Sequence, residues 1–222
     1  MLESRAIKEN NTKLAFDLNY RAQRIKFNKS LPTTKLKGQI VFLSDSLTES
    51  FVADLSRRYS DGIAGNLSPL FQKLKIVNQG ISSDTTRGIL NRIKDVTDLE
   101  PDKVFIMAGI NDMSMGRSVA TIVKNYKEII VNIKEKSPQT EIFIESVLPV
   151  NEERTPIKNK NIIALNQKLR LLATQYDAIY IDLYSLMVDG KGQLNASWTW
   201  DGIHIYMRGF DLWRNEVEKF VN

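Results

Sequence analysis

The sequence predicts an α/β protein, a parallel sheet with helices on both faces. Short apolar, β-branched runs alternate five times with longer stretches of helical period. Such alternation gives parallel strands joined by right-handed crossovers. The chain has 222 residues, 42% hydrophobic and 26% charged. That composition is ordinary for a globular protein, and the length suffices to bury a core without disulfides or metal.

The elements follow in order. Residues 2–28 read as one helix or two, with Leu14, Leu18, Ala22 and Ile25 on a single stripe. Leu31-Pro32-Thr33-Thr34 breaks the chain. Gln39–Leu43 is a strand buried on both faces, followed by a helix over Thr48–Arg58. Lys73–Asn78 is the second strand, with a helix over Thr85–Asp95. Asp102–Ala108 is the third, with a long helix over Val119–Lys136 that Ser137-Pro138 ends. Glu141–Val147 is the fourth. Its helix, Lys158–Tyr176, carries Ile162, Leu165, Leu169 and Leu172 on one face. Ala178–Asp182 is the fifth strand, and Met207–Phe220 the last helix. Two units result: a basic helical extension over residues 1–37, expected to pack on the core, and the main domain over 38–222.

The net charge of +5 is uneven. Residues 1–37 hold nine Lys/Arg and three Asp/Glu, which leaves the remainder close to neutral. A nucleic-acid role would need a denser basic cluster interleaved with aromatics, so the lysines read as a solvated helix face. There is no cysteine and one histidine, His204, which excludes thiol nucleophiles, disulfide scaffolds and multi-histidine metal sites. No apolar run is long enough to span a bilayer, and Met1–Lys8 lacks the apolar core of a secretory signal. A cytoplasmic protein is expected, without cofactor or metal.

In parallel α/β sheets, sites form beyond the C-terminal ends of the strands. The segments there are Ser44-Asp45-Ser46-Leu47-Thr48-Glu49, Gln79-Gly80-Ile81-Ser82 and Gly109-Ile110-Asn111-Asp112, with Asp201-Gly202-Ile203-His204 before the last helix. Serine acyl transfer needs an activated hydroxyl, an imidazole base, a carboxylate to orient it and donors for the oxyanion. Ser46 supplies the hydroxyl, His204 the base and Asp201 the carboxylate. The N–H groups of Ser46 and Gly80 and the Asn111 side-chain amide are candidate oxyanion donors. Asp45 and Asp112 are supporting residues, and Trp200, Tyr206 and Met113 are candidates for the substrate pocket. Each piece also has a plain structural reading. Ser46 with Glu49 is a capping-box pattern, Gly80 suits a tight turn, Asn111-Asp112 is turn chemistry and Asp201-Gly202 is a turn dipeptide.

Taken together, FLSDSLTES at 42–50, NQG at 78–80, GIND at 109–112 and DGIH at 201–204 resemble the four blocks of the SGNH hydrolases, the GDSL-type esterases, and the pattern around residues 20–45 and 101–112 is most similar to their platelet-activating-factor acetylhydrolase-like and lysophospholipase-like branches. The resemblance covers residues 39–222. It implies a flavodoxin-like α/β/α sandwich with strand order 2-1-3-4-5. It also implies Ser46 as nucleophile, Gly80 and Asn111 completing the oxyanion hole, His204 as base and Asp201 as its orienting partner. Ser44 stands where the family usually has glycine, which requires a negative φ there. Tyr206, two residues past the histidine, stands where many members carry Asn or Ser.

The expected activity is hydrolysis of a small acyl group, acetyl, from a sugar or lipid alcohol. Alternatives are a lysophospholipase or thioesterase on longer chains, or a weakly catalytic ligand-binding member. Asp45 also suits a D-x-D phosphoryl-transfer loop, but the second aspartate position is Leu47. The expected partner is a small-molecule ester, with no nucleic acid and no integral membrane association. A homodimer stays open.

Overall fold

Alternate residues of the central strands carry different kinds of bulk, and this builds the layers. The computed structural model describes residues 19–20, 22–26, 39–51 and 74–221. In β1 (Ile40–Ser44), β3 (Lys103–Met107) and β4 (Glu141–Glu145), Val41, Leu43, Val104, Ile106, Ile142 and Ile144 point into an aliphatic cluster. The residues between them point the other way. There Phe42, Phe105 and Phe143 form a continuous stack, with ring centroids 4.8 and 4.4 Å apart. The period-2 alternation of a strand makes this sorting possible.

With β2 (Ile76–Gly80) and β5 (Ile179–Ile181) the sheet runs β2-β1-β3-β4-β5, all parallel, which is the order the resemblance implies. The register pairs Ser44 with both Gly80 and Met107, so β1, β2 and β3 end flush at one rim. The aliphatic face is covered by helices Thr86–Asn91, Lys94–Thr97, Val119–Lys136 and Asn159–Gln175. The aromatic face is covered by the helical residues 46–51 and by helix Met207–Val217, through Leu47, Phe51, Phe210, Trp213 and Val217. These are the three layers of an α/β/α sandwich.

Helix Val119–Lys136 matches its expected span. Ser118 caps it by accepting the Thr121 N–H, and Lys134 and Lys136 sit in its last turn, where cations are favoured. Ile122, Tyr126, Ile129, Ile130 and Ile133 lie on its buried face. Each such side chain contributes about 1.5–3 kcal/mol on burial.

Other boundaries differ. β2 begins and ends later than the sequence predicts, because its polar end is still strand. Asn78 donates to the Glu49 carbonyl, and Gln79 receives the buried Arg92 guanidinium. The expected helix over 85–95 breaks at Arg92, whose side chain leaves the helix for Asp84, Gln79 and the Ser44 carbonyl. Short helices Ile110–Ser114 and Tyr184–Met187 were not expected. The second half of the expected 48–58 helix, most of the 2–28 helix and the chain break near residue 32 lie outside the described residues. Among the described residues no helix is long and apolar enough to cross a membrane.

Candidate active site

Ser46 stands at the first position of the helix entered from β1. The cap of that helix is its neighbour. Asp45 Oδ1 accepts the Leu47 N–H at 3.1 Å, and the Asp45 carbonyl accepts the Glu49 N–H at 2.9 Å. The Ser46 side chain is therefore free of capping, and its Oγ lies 2.9 Å from His204 Nε2. A first-turn residue has no intrahelical acceptor for its N–H, so that of Ser46 is a donor at the sheet rim. Ser44 does not have a positive φ, which meets the condition for serine there, but its buried hydroxyl has no hydrogen-bond partner among the described residues.

The loop carrying His204 is closed by an antiparallel bridge between Thr199 and Ile205. Within it, Asp201 Oδ1 accepts the N–H groups of Ile203 and His204 at 3.0 and 2.8 Å. Its Oδ2 lies 2.5 Å from His204 Nδ1. Burial pushes this carboxyl up, but the bonds from His204 and the two N–H groups outweigh it and hold Asp201 below the ordinary aspartate value. A carboxylate only accepts, so Nδ1 carries the ring proton and Nε2 faces the Ser46 hydroxyl as an acceptor.

The next-door segment fixes this loop in place. Asn159 bonds both the N–H and the carbonyl of Val150, and Asn166 does the same to Val147. The chain thus held presents the Asn151 N–H to the Gly202 carbonyl at 2.9 Å. Gly202 has φ +91, and a Cβ there would lie 2.9 Å from Arg154 Cβ and from the Asn151 carbonyl. Only glycine fits.

Asn111 Nδ2 donates to the Asp84 carbonyl at 2.9 Å and to Asp45 Oδ2 at 3.3 Å. Burial, with added repulsion from Asp84 and Asp112, pushes the Asp45 carboxyl up to about 7 against the opposing Leu47 bond. Asp112 is buried and accepts from Thr86 N–H, Thr86 Oγ1 and Arg117, which ties helix Ile110–Ser114 to helix Thr86–Asn91.

Gly80 has a different setting from the expected one. Its N–H donates to Asn78 Oδ1 at 2.9 Å. A Cβ at Gly80 would come within 2.4 Å of the Glu49 nitrogen, so glycine here lets the end of β2 approach the Ser46 helix. Just beyond it, the Asp84 N–H bonds the Ile81 carbonyl and closes a turn, with Ser83 at φ +63. A left-handed serine costs about 1–2 kcal/mol, and such strain gathers at functional sites. The Ser83 N–H makes no hydrogen bond among the described residues. Sequence reasoning missed Ser83 because it sought a glycine; Ser82-Ser83-Asp84 as a turn was the signal at hand. Asp84 and Arg92 were missed as well. Their buried ion pair at 2.8 Å anchors that turn.

Trp200 stacks on the His204 ring, centroids 5.3 Å apart and 12° from parallel, with Tyr206 at 5.2 Å from Trp200. Both are about half exposed. Met113 packs against the aliphatic layer.

Residues 44–212 match the GDSL-like Lipase/Acylhydrolase family. Among similar proteins is the platelet-activating factor acetylhydrolase IB subunit alpha2 of Rattus norvegicus, 26% identical over 144 residues, which are 64% of this chain and 62% of that protein. The chain thus matches less than two thirds of that relative's length. A GDSL-like lipase from Bacteroides thetaiotaomicron superposes with a TM-score of 0.72 at 25% identity, covering 90% of this chain and 96% of that one. A lipase/acylhydrolase from Enterococcus faecalis gives 0.64 at 24% identity over 82% and 96%, a likeness of fold. With three quarters of its length matched, this chain belongs to the GDSL-like lipase/acylhydrolase family.

Proposed function

We propose that this chain is a serine esterase that removes a small acyl group, acetyl, from a sugar or lipid alcohol. The observation that carries the reading is the unbroken hydrogen-bond path from Ser46 Oγ to His204 Nε2, and from His204 Nδ1 to Asp201. Ser46 Oγ bonds to the ester carbonyl carbon while its proton passes to His204 Nε2. The imidazolium, stabilised by Asp201, returns that proton to the alcohol oxygen as the C–O bond breaks, leaving acyl-Ser46. Water then attacks with His204 again as base, which releases the carboxylic acid and the free serine.

In this reading the oxyanion is met by the N–H groups of Ser46 and Ser83 and by Asn111 Nδ2. Ser83 takes the place expected of Gly80, whose N–H is occupied by Asn78. Asn111 exchanges its longer bond, the one to Asp45, for the oxyanion. An Asp45 carboxyl raised to about 7 is a weak acceptor near neutral pH, which favours that exchange. Trp200 and Tyr206 border the base where the alcohol or acyl part would lie. The acetyl preference draws on the acetylhydrolase relatives.

The test is hydrolysis of p-nitrophenyl acetate by wild type, Ser46→Ala and His204→Ala. Both variants are expected to lose at least about a thousandfold in kcat, and a fluorophosphonate should label wild type and not Ser46→Ala. Full activity in pure Ser46→Ala would overturn the mechanism. A panel of acetylated sugars, short and long p-nitrophenyl esters and acyl-CoA separates the substrates, and a preference for long chains would move the reading to a lysophospholipase or thioesterase.

A further inference from the structure

Glu49 lies one helical turn past Ser46, and its carboxylate joins two parts of the molecule. Oε2 accepts the Ser82 N–H at 2.8 Å. Oε1 receives the Tyr20 hydroxyl and pairs with Arg24 Nε at 3.2 Å. Arg24 Nη2 also reaches the Gly80 carbonyl at 3.4 Å. Tyr20 and Arg24 belong to the helical residues 19–20 and 22–26, in the basic segment before the sheet. The Glu49 and Arg24 side chains are 13% and 22% exposed, so this pair is mostly withdrawn from water. Burial, reinforced by Glu49, pushes the Tyr20 phenol up to about 12, so it remains a donor.

We propose that this N-terminal helical segment is a strut for the oxyanion turn, with Tyr20 and Arg24 as positioning residues that act through Glu49 on Ser82 and Ser83. The proposal rests on the reading of the Ser83 N–H as an oxyanion donor. A turn with a left-handed residue at its third position differs from the relaxed type I turn by a flip of its central peptide. In the turn 81–84 that peptide carries the Ser83 N–H. If Ser83 relaxes to negative φ, its N–H reverses and the donor is lost. The Glu49 bond to Ser82 pins the residue that opens the flip, and Tyr20 and Arg24 keep the Glu49 carboxylate turned inward. Without them the carboxylate is free to swing to water and release Ser82. A segment whose charge reads as a solvated helix face thereby has a part in catalysis.

The experiment compares the full-length wild type with Tyr20→Phe, Arg24→Met, their double variant and Arg24→Lys. It measures kcat and KM on p-nitrophenyl acetate, thermal midpoint, and amide hydrogen exchange over residues 78–85. Loss of one oxyanion donor costs about 10²–10³ in kcat. A turn only partly flipped in the double variant should lose about 10- to 100-fold in kcat with KM changed less than about twofold. Exchange at Ser82 should accelerate, and Arg24→Lys should recover most of the rate. Glycine adopts positive φ without strain. In a Ser83→Gly background the double variant should therefore lose less than about threefold relative to that background, a rescue that general destabilisation would not produce. A double variant within twofold of wild type in kcat, with Ser82 still protected, overturns the proposal. So does a loss that Ser83→Gly does not reduce. If the double variant fails to fold, Tyr20→Phe alone decides by the same readouts. Absence of esterase activity in the wild type would instead defeat the functional reading, and exchange at Ser82 would still report whether the strut holds the turn.

Discussion

Glu145 offers a test of how the aromatic layer is held. It is the last residue of β4 and fully buried; its Oε1 accepts the Trp213 Nε1–H at 2.6 Å while Oε2 has no hydrogen-bond partner among the described residues. Burial pushes the carboxyl from 4.5 up to about 8, against the Trp213 bond. Between those values the folded protein keeps a proton that the unfolded chain has lost. Stability attributable to Glu145 therefore falls as pH rises from about 4.5, by about 1.36 kcal/mol per pH unit, and levels off above about 8. The ceiling on the loss is about 5 kcal/mol. Glu145→Gln keeps the acceptor for Trp213 and cannot ionise, but it buries an amide without a partner, at about 1–3 kcal/mol. The variant should be less stable than wild type at pH 5 and more stable at pH 9. Urea denaturation of both proteins across that range, read by circular dichroism, gives the difference curve. Other titrating groups are common to both proteins and cancel. A constant offset from pH 5 to 9 would refute the account of Glu145 as a carboxyl held neutral by burial.

Three further outcomes follow from named contacts. Ser44→Ala removes a buried hydroxyl that has no partner among the described residues; it should raise stability by about 1–2 kcal/mol in urea titration. Arg92→Met strands the Asp84 carboxylate in a site with side-chain exposures of 4% and 0%. It should lower stability by about 3–5 kcal/mol in the same titration. Asp201→Asn should lower kcat on p-nitrophenyl acetate by about 10⁴ with little change in thermal midpoint, because an amide can stabilise the wrong imidazole tautomer.

The sheet was legible because its strands differ in kind from everything around them. IVFL at 40–43, VFIM at 104–107 and IFI at 142–144 are too apolar for a surface and too short for a helix. The helix at 119–136 was legible to the residue because a capping serine and a Ser-Pro pair bracket it. The end of β2 was not, because Asn78 and Gln79 look like loop until Glu49 and Arg92 supply their partners. The meeting of Ser46 with His204 follows from the fold once the strand ends are known. The occupied N–H at Gly80 and the open one at Ser83 do not, since sequence fixes where a backbone can turn more readily than where its amide points.

The pattern S-x-x-E at 46–49 shows how a local rule and a candidate site compete for the same atoms. As a capping box, Ser46 would accept the N–H three residues on and Glu49 would reach back to the Ser46 N–H. Both members are diverted. Asp45 takes over the cap through Leu47, which shifts the helix start by one residue and frees the Ser46 hydroxyl for His204. The Glu49 carboxylate turns away from the first turn of its own helix to hold Ser82, Tyr20 and Arg24. The N–H of Ser46, which a capping box would have consumed through Glu49, is left as a donor at the rim. A buried, high-pKa Asp45 is the cost of that exchange, because a cap is favoured as a charged group at a helix N-terminus and this one is sealed from water beside Asp84 and Asp112. The helix is therefore less well capped than its sequence allows, and the stability forgone coincides with a hydroxyl turned to His204 and a backbone N–H presented from the same turn.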